Sequence, residues 1–498
     1  MNTGKLVVAI FIFAFLLRVF TIYPYNTIIG FDQARDLFVA KTIVVDHDLK
    51  IIGPTAGNND ALHHGVLYWY YLVPGYVLSS GNPAGIAMWN AFFNSFTVVV
   101  AYLFVKNITQ NNFAGIVAAA LASISHYLVQ YSGWLSNPSP TLLFIPLVFY
   151  SLWKYINGKN WGLLFCAIFL GICIQLELFL LYLIPTILIL WLIFSRKLPS
   201  LKTAFFSLAL FCLATSTMIA TEIKYDFSGM KAIFGAGQFV GEHTSLGQRL
   251  VNFGERFFET FEQTLLPLPG KGAFLFSLVA IGTIVVLIKH KKLRMPIFFV
   301  LGYLFSPILM LILGSHNAPW FLISVPLAAI LLLSIILYKL FPKVLLISLG
   351  VIIIFTNFMA NLKIAKSGQT LLEPDSGAIM AKQLQAIDYT YLSCPSKQVA
   401  VDTVTNPLYI NSVWAYHFDW YGKTKYGFLP NWLGGKQNYP YDVLPSQTGT
   451  EKCFYVIADQ TPRIGEAYRQ NAINSALEKG KLVETRDFEG IVVYKFSR

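Results

Sequence analysis

Charge is scarce in this chain: Asp, Glu, Lys and Arg make up 12% of its 498 residues, against about a quarter in soluble domains. Hydrophobic residues make up 55%, and the mean hydropathy is +0.58. This composition excludes an ordinary soluble globular protein and indicates a polytopic membrane protein. Cysteine is scarce as well, and the spacing of the five cysteines predicts no metal site.

Long apolar runs are abundant, and eleven of them reach the length of about 17–25 residues that crosses a bilayer. They cover approximately residues 6–23, 85–105, 113–131, 140–156, 160–176, 178–195, 203–221, 272–289, 295–313, 318–338 and 341–360. The first run lacks a small-residue cleavage site, so we expect a transmembrane helix rather than a signal peptide. Residues 66–79 are shorter, contain Pro74 and are rich in Tyr and Trp, which predicts a segment at the membrane interface.

Lysine and arginine are missing from every second short loop, which predicts the topology. If the N-terminus is cytoplasmic, the short outside loops at 131–140, near 176 and at 313–318 contain no basic residue, as the positive-inside rule requires. All twelve acidic residues of 1–360 then fall outside or at outside helix ends. The net charge of +12 therefore indicates a basic inner rim in a plasma or inner membrane, and we expect no nucleic-acid partner.

We predict an α-helical polytopic membrane domain at 1–360, with about eleven transmembrane helices, followed by a small extracytoplasmic α/β domain at 361–498. Long outside loops are expected at 24–84 and 222–271. In the second loop, apolar residues recur every three or four positions, which predicts a helix lying on the membrane. The tail is predicted to have strands at 398–404, 453–459 and 490–496 and a helix at 472–481. Cys453 opens one predicted strand, and Cys394 lies four residues before another. The two cysteines can form a disulfide only if these strands are neighbours, and the sequence leaves this open.

Two carboxylates, Asp32 and Asp36, lie one helical turn apart where the first apolar run ends. One interpretation is structural, with Asp32 as an N-cap and Asp36 favouring the positive end of the helix dipole. Against it, like charges at i and i+4 oppose each other, and Arg35 offsets this only in part. The alternative is a carboxylate at the membrane surface that accepts a proton from a polar substrate.

Other polar residues at the expected outer face are weaker candidates. Asp46-His47-Asp48 has a D-x-D form but is more typical of a solvated turn. His63 and His64 are able to bind a phosphate or a metal, or to lie solvated at the interface. Glu177 marks a turn in a long apolar stretch or faces a site. Asn137 and His316 mark two further outer turns. The exception inside a span is Arg18, which we expect to extend its charge toward the outer surface.

The aromatic segment LYWYYLVPGY and the Asn-Pro turn in GWLSNPSPTLLF, following an acidic residue soon after the first span, resemble the GT-C glycosyltransferases that use polyprenyl-phosphate sugars. The protein O-mannosyltransferases and the lipid A aminoarabinose transferases are the most similar branches, and the resemblance covers most of 1–360. Relatives often have two adjacent acidic residues in the first motif, whereas here Gln33 follows Asp32. Many have an acidic or Lys-Pro element before the aromatic segment, where this chain has His63-His64-Gly65. Some have an aspartate before the proline of the later turn, where this chain has Asn137.

The resemblance implies transfer of a sugar, with inversion, from a polyprenyl-phosphate donor to a hydroxyl of a lipid, glycan or protein on the outer face. It implies that Asp32 is the catalytic base, and we expect Asp36 to assist it. The candidate partners of the donor phosphate and substrate are Arg35, His63, His64, Asn137, Glu177, Arg249, Arg256 and His316. A divalent metal is left open, with Asp32, Asp46 and Asp48 as weak candidate ligands. An oligosaccharide ligase of the same superfamily is one alternative, and a transporter or lipid flippase is another, although the spans carry little charge and no repeat is visible.

Overall fold

A computed structural model describes residues 2–23, 25–56, 59–195, 198–235, 245–313, 318–367 and 375–498. Most of residues 3–367 is helical, and the last part of the chain contains a mixed sheet. The helices of this first part are α1 (Thr3–Ile22), α2 (Phe31–Val45), α3 (Leu67–Ser79), α4 (Pro83–Ser95), α5 (Thr97–Thr109), α6 (Asn112–Ile124), α7 (His126–Gly133), α8 (Thr141–Ile156), α9 (Trp161–Leu176), α10 (Leu183–Phe194), α11 (Leu201–Ala214), α12 (Ser216–Lys224), α13 (Ser228–Gly235), α14 (Leu246–Leu265), α15 (Gly272–Lys289), α16 (Arg294–Leu304), α17 (Met310–Leu313), α18 (Val325–Leu340) and α19 (Lys343–Ser367). A short hairpin, β1 (Thr55–Ala56) and β2 (Asn59–His63), separates α2 from α3.

The apolar helices make this a multi-pass membrane protein. Within the described ranges, five helical segments are long and apolar enough to span a bilayer, and two bent helix pairs bring the number to seven. The pairs are α6 with α7, bent by 54°, and α11 with α12, bent by 66°. Three shorter apolar helices fall within predicted spans: Thr141–Ile156, Trp161–Leu176 and Leu178–Phe194. The expected total of eleven spans, and the domain boundary at residue 360, stay predictions.

Close helix packing builds the core of the membrane domain. Helix α18 lies at its centre, with 89% of its span buried. Helices α8 and α9 pack tightly because Gly162 leaves room: a Cβ there would lie 2.5 Å from the Ser151 carbonyl oxygen. Small residues allow such close approach between membrane helices, where packing rather than water exclusion drives association.

Arg18 does not extend to the surface, so that expectation was wrong. The side chain is fully buried in α1 and bonds inside the helix bundle. Its Nε donates to Ser132 Oγ at 3.0 Å, and its Nη1 donates to the carbonyl oxygens of Ala14 at 2.9 Å and Ser123 at 3.2 Å. These acceptors on α6, α7 and its own helix hold the guanidinium inside the bundle, while its buried Nη2 has no hydrogen-bond partner among the described residues.

The second long loop contains the predicted amphipathic helix as α14. Its first turns expose Leu246 and Leu250, whereas Phe257 and Phe261 are buried against the bundle. Glu262 on this helix is buried, and it accepts hydrogen bonds from the backbone N–H groups at the start of α15. The carboxylate thereby satisfies the unpaired N–H groups of a helix N-terminus. That α14 lies on the membrane stays a prediction.

The C-terminal part is an α/β domain with a five-stranded sheet. Its elements are α20 (Met380–Leu392), β3 (Val399–Val404), α21 (Ser412–His417), α22 (Lys423–Tyr426), β4 (Asn431–Trp432), β5 (Cys453–Asp459), α23 (Glu466–Leu477), β6 (Lys481–Asp487) and β7 (Ile491–Ser497). The strand order is β4-β3-β5-β7-β6, with β4, β3 and β5 parallel and the remaining pairs antiparallel. The three predicted strands are present, but the helix begins and ends earlier than expected. Cys394 and Cys453 form a disulfide, because β3 and β5 are neighbours.

The α/β domain packs directly on the first long loop. The backbone N–H of Ile29 donates to the Ala378 carbonyl at 2.8 Å, and Gln383 Nε2 donates to the Ile29 carbonyl at 2.8 Å. An ion pair of 2.6 Å joins Lys41 on α2 to Asp419. These contacts hold the beginning of α2, where Asp32 lies, against the C-terminal domain.

Candidate functional site

A cavity of about 950 Å³ lies where the membrane domain meets the α/β domain. Three parts of the chain line it: the start of α2, the turns at the ends of membrane helices, and loops of the α/β domain. Its polar lining includes Asp32, Gln33, Arg35, His64, Ser136, Asn137, Glu177, Asp375, Asn406, Asp459 and Arg463, and aromatic rings come from Phe31, Trp134, Phe179, Trp320 and Phe321. Five of the predicted site residues therefore meet in one place.

Asp32 is an exposed carboxylate at the edge of this cavity. The N-cap of α2 is Gly30, whose N–H donates to Gln33 Oε1 at 3.0 Å. The interpretation of Asp32 as the N-cap is therefore wrong, since Asp32 lies inside the first turn. Its side chain is 63% exposed and accepts a hydrogen bond from Arg35 Nη1 at 2.7 Å. It retains oxygen lone pairs for another donor.

Asp36 is buried beneath Arg35. Its Oδ1 accepts from Arg35 Nε at 2.9 Å and from Trp69 Nε1 at 2.8 Å, and its side chain is 3% exposed. Burial raises the pKa of the Asp36 carboxyl, while the charge of Arg35 and the two hydrogen bonds lower it in part. Trp69 belongs to the aromatic segment, so α3 helps to fix the orientation of the Arg35 guanidinium.

His64, Asn137 and Glu177 form a second cluster on the membrane-domain wall. Asn137 Nδ2 donates to Glu177 Oε2 at 3.0 Å and to the Leu176 carbonyl at 2.8 Å. His64 Nδ1 accepts the backbone N–H of Leu178 at 3.3 Å and lies 3.6 Å from Glu177 Oε1. The predicted turn near residues 175–178 is confirmed, because α9 ends at Leu176 and Glu177 is extended.

The contact between His64 and Glu177 is close enough for an ion pair, but their environments oppose it. Burial raises the pKa of Glu177 to about 8, partly offset by its hydrogen bonds from Phe179 and Asn137. Burial also lowers the pKa of His64 to about 3, and Arg35 lowers it further. Near neutral pH both groups are therefore mostly uncharged. Since Nδ1 of His64 accepts, Nε2 carries the proton of the neutral ring.

Of the remaining predicted residues, those that the structure describes do not line the cavity. His63 stacks on Tyr225, with ring centroids 5.5 Å apart, and Arg256 pairs with Glu259 at 2.7 Å. Arg249 lies on the first turn of α14, where its Nε is buried and has no hydrogen-bond partner among the described residues. His316 lies outside the described residues.

A metal site built on Asp32, Asp46 and Asp48 does not fit the structure. Asp46 accepts from the Tyr439 hydroxyl at 3.0 Å, Asp48 pairs with Lys50, and neither lines the cavity beside Asp32. Within the part of the chain that the structure describes, no group of three or more His, Cys, Asp or Glu side chains is arranged to hold a metal ion.

Sequence reasoning missed the α/β side of the cavity. Asn406 follows β3, and Asp459 ends β5, so both lie at the carboxyl ends of parallel strands. Ligands bind at such edges in open α/β sheets, so the predicted strands carried a usable signal. Arg463, Trp134 and Trp320 also line the cavity, but no pattern in the sequence distinguishes them from other residues of their kind.

Residues 63–226 match the family described as dolichyl-phosphate-mannose-protein mannosyltransferase. ArnT from Cupriavidus metallidurans in the apo state is similar in structure, with 10% identity, a TM-score of 0.61, and coverage of 98% of this chain and 97% of that chain. ArnT bound to undecaprenyl phosphate has 11% identity, a TM-score of 0.61, and coverage of 99% and 98%. The S. cerevisiae Pmt1-Pmt2 complex bound to the sugar donor has 17% identity over 54% of this chain and 37% of that chain, with a TM-score of 0.35 that is too low to establish a shared fold.

No curated protein sequence matches this chain. The matched residues include the aromatic segment and the Asn-Pro turn, two of the features on which the predicted resemblance depends, whereas Asp32 lies before them. The ArnT structures extend the similarity in fold to nearly the whole chain, including the α/β domain. The resemblance of this chain to the GT-C superfamily of glycosyltransferases is confirmed.

Proposed function

We propose that this protein transfers a sugar from a polyprenyl-phosphate donor to a hydroxyl acceptor on the outer face of the membrane, with inversion at the anomeric carbon. The observation that carries the proposal is the position of Asp32, an exposed carboxylate beside Arg35 at the cavity between the two domains. One of the similar structures was solved with undecaprenyl phosphate bound, and the matched family is described by a dolichyl-phosphate sugar. Both support a lipid-linked donor.

The proposed reaction needs one base and one site for the leaving phosphate. The acceptor oxygen attacks the anomeric carbon as its proton passes to Asp32. The bond between the anomeric carbon and the phosphate oxygen breaks, and its electron pair leaves with polyprenyl phosphate. The proton on Asp32 then passes to water, which restores the base. The sugar is thereby joined to the acceptor through its oxygen, and no metal takes part in the proposed steps.

Arg35 is the proposed partner of the phosphate. A guanidinium has five N–H donors, and the contacts described above use one on Asp32 and one on Asp36. Donors aimed at charge that develops on the leaving group stabilise the transition state. Asp36 is a positioning residue, because its buried oxygen holds Arg35 rather than reaching the cavity.

His64 is proposed as a neutral donor to the substrate. Its Nδ1 is occupied by the Leu178 N–H, so the proton on Nε2 is available for a phosphate or sugar oxygen. Asn137 and Glu177 are proposed to hold this ring in place through the bonds around the turn after α9. His63, Arg249 and Arg256 have no part in this proposal.

Asp32→Asn tests the base directly. The amide keeps the size and still accepts from Arg35 but takes no proton, so we expect turnover to fall about 10²–10⁴-fold while donor binding is retained. Asp60→Asn is the matched control, since Asp60 is exposed in the same loop and does not line the cavity. The assay is release of polyprenyl phosphate by protein in liposomes, from a panel of polyprenyl-phosphate hexoses and pentoses, with water or an added hydroxyl compound as the acceptor.

Two outcomes contradict the proposal. If wild-type protein releases no polyprenyl phosphate from any donor while cell-envelope glycans are unchanged by loss of the gene, the transferase function is wrong. If Asp32→Asn keeps more than about a tenth of wild-type turnover, less than the smallest loss typical of a general base, Asp32 is not the base.

A further inference from the structure

The cavity has a second polar wall that the proposed reaction does not use. Strands β3 and β5 are parallel, and Val404 at the end of β3 pairs with Ala458 next to the end of β5. Their carboxyl ends therefore open at the same edge of the sheet. Asn406 and Asp459 follow from these ends and line the cavity that Asp32 lines from the membrane domain.

Asp459 has an unsatisfied carboxylate oxygen in this wall. Its Oδ1 is buried and has no hydrogen-bond partner among the described residues. Burial raises the pKa of Asp459 to about 7, the nearby carboxylate of Asp375 raises it further, and Arg469 opposes the shift. A buried polar oxygen without a partner is costly, so this atom calls for an explanation, and a donor supplied by a bound ligand is one.

The neighbouring side chains fit sugar hydroxyls better than a phosphate or a metal. Asn406 is exposed and offers both an amide donor and an acceptor. The carboxylates of Asp459 and Asp375 oppose an anion, and Arg463 in the same wall opposes a bare cation. Carboxylate, amide and guanidinium groups together provide the mixture of donors and acceptors that vicinal hydroxyl groups require.

An exposed aromatic ring stands beside this wall. Tyr409 lies between Pro407 and Ile410, which both line the cavity, and it is 76% exposed. Its φ of 66° is unusual for a bulky residue, and such strain is found at functional positions. Tyr409 also contacts the Tyr468 ring edge to face, at 6.3 Å between centroids. Tyr409 does not itself line the cavity, but its ring offers an apolar body and a polar tip next to residues that do.

We propose that Asp459 and Asn406 form a second subsite that binds the hydroxyl groups of a sugar ring, with Tyr409 packing against the ring at the rim. This inference rests on the proposed function, and it adds the residues that recognise a saccharide on the α/β domain. The saccharide is either the donor sugar or a glycan acceptor, which have the same hydroxyl chemistry. In both cases the ring lies between Asp459 on one wall and Asp32 on the other.

Asp459→Ala, Asn406→Ala and Tyr409→Ala test the subsite in the full-length protein. We expect KM for the saccharide to rise about tenfold or more while kcat changes less, because binding is weakened and the base is intact. If the ligand is the donor sugar, KM for the donor rises even when water is the acceptor. If it is the acceptor, KM for the acceptor rises and hydrolysis of the donor is unchanged. Glu478→Gln is the control, since Glu478 is exposed on the same domain and does not line the cavity.

A binding measurement separates this inference from the proposed function. Methyl glycosides of hexoses and pentoses serve as probes, and saturation-transfer NMR detects their binding to the protein in detergent without any turnover. Binding by wild-type protein that the Asp459→Ala and Asn406→Ala variants lose supports the subsite even if no transfer is found. If no glycoside binds wild-type protein, or if both variants bind and turn over as wild type does, the inference is overturned. Asn406 is exposed, so its variant remains informative if Asp459→Ala fails to fold.

Discussion

Glu177→Gln makes a quantitative prediction about pH and stability. Glu177 is 2% exposed at the turn after α9, and burial raises the pKa of its carboxyl from 4.5 to about 8. Between these values the folded state holds a proton that the unfolded state releases. The free energy of unfolding therefore falls as pH rises, by about 1.4 kcal/mol per pH unit. This contribution is complete below pH 4.5 and is lost as pH passes 8, for a total of about 5 kcal/mol.

Glutamine has nearly the same shape but does not titrate, so the variant lacks this pH dependence. Its oxygen still accepts one of the hydrogen bonds that Glu177 receives from Asn137 Nδ2 and the Phe179 N–H, and loss of the other costs about 1 kcal/mol at all pH values. Between pH 5 and pH 7 we expect the stability of wild type relative to the variant to fall by about 2–3 kcal/mol. Other titrating groups cancel in this difference, since they are common to both proteins.

Chemical unfolding in detergent micelles at pH 5, 6, 7 and 8 measures this difference. Glu478→Gln is the matched control, because it makes the same substitution at an exposed position outside this turn. If wild type and Glu177→Gln give parallel stability profiles from pH 5 to pH 8, Glu177 does not hold its proton in the folded state. The neutral cluster with His64 and the proposed tautomer of its ring would then be wrong.

Three further perturbations follow from single contacts. Trp69→Phe keeps an aromatic ring but removes the pyrrole part of the indole, with the N–H that lies 2.8 Å from a buried carboxylate. We expect the free energy of unfolding to fall by about 1.5–3 kcal/mol from loss of this bond, and no change in detergent unfolding would refute its contribution. Replacing Cys394 and Cys453 with serine opens a loop whose ends are 59 residues apart, which should destabilise the α/β domain by about 4 kcal/mol; an alkylated intact mass that is the same with and without reductant would show that the bond does not form. The topology is tested in intact cells, in a background without other free thiols. A cysteine at Lys436 should react with an impermeant thiol reagent, and a cysteine at Lys159 should not. The reverse pattern would mean that the predicted topology is inverted.

The spacing of apolar residues and the length of apolar runs predicted the helices and strands that are apolar along most of their length. The predicted strand at 453–459 is Cys453–Asp459, and the first predicted span at 6–23 lies on Thr3–Ile22. Strand β6 was missed because all seven of its residues are exposed, so it lacks the apolar pattern on which a strand prediction depends. Pairing with β7 holds it in place instead.

Polar residues were harder to predict, because their position depends on partners that are distant in sequence. Arg18 near a helix end is typical of a side chain that reaches the membrane surface, yet Ser132 and Ser123 offer it acceptors inside the bundle. Asp32 is a different case, because Gly30 and Gln33, which form the cap, are its neighbours in sequence, and this stretch allows the N-cap to be either Gly30 or Asp32. The two interpretations of Asp32 differ in whether its carboxylate caps the helix, and only the hydrogen bonds of the structure show that it does not.

The sequence by itself determined that this chain is embedded in a membrane, that a strand-bearing segment follows the last span, and that Asp32, Arg35, His64, Asn137 and Glu177 are candidates for one site. Those properties depend on composition, run length and residue order, which are all local. Only the tertiary structure decided that these five side chains line one cavity, that His63, Arg249 and Arg256 do not, and that Asp459 faces the cavity from the other domain. The reason is physical: helix packing and the contacts between the domains fix distances between segments that no one-dimensional pattern encodes.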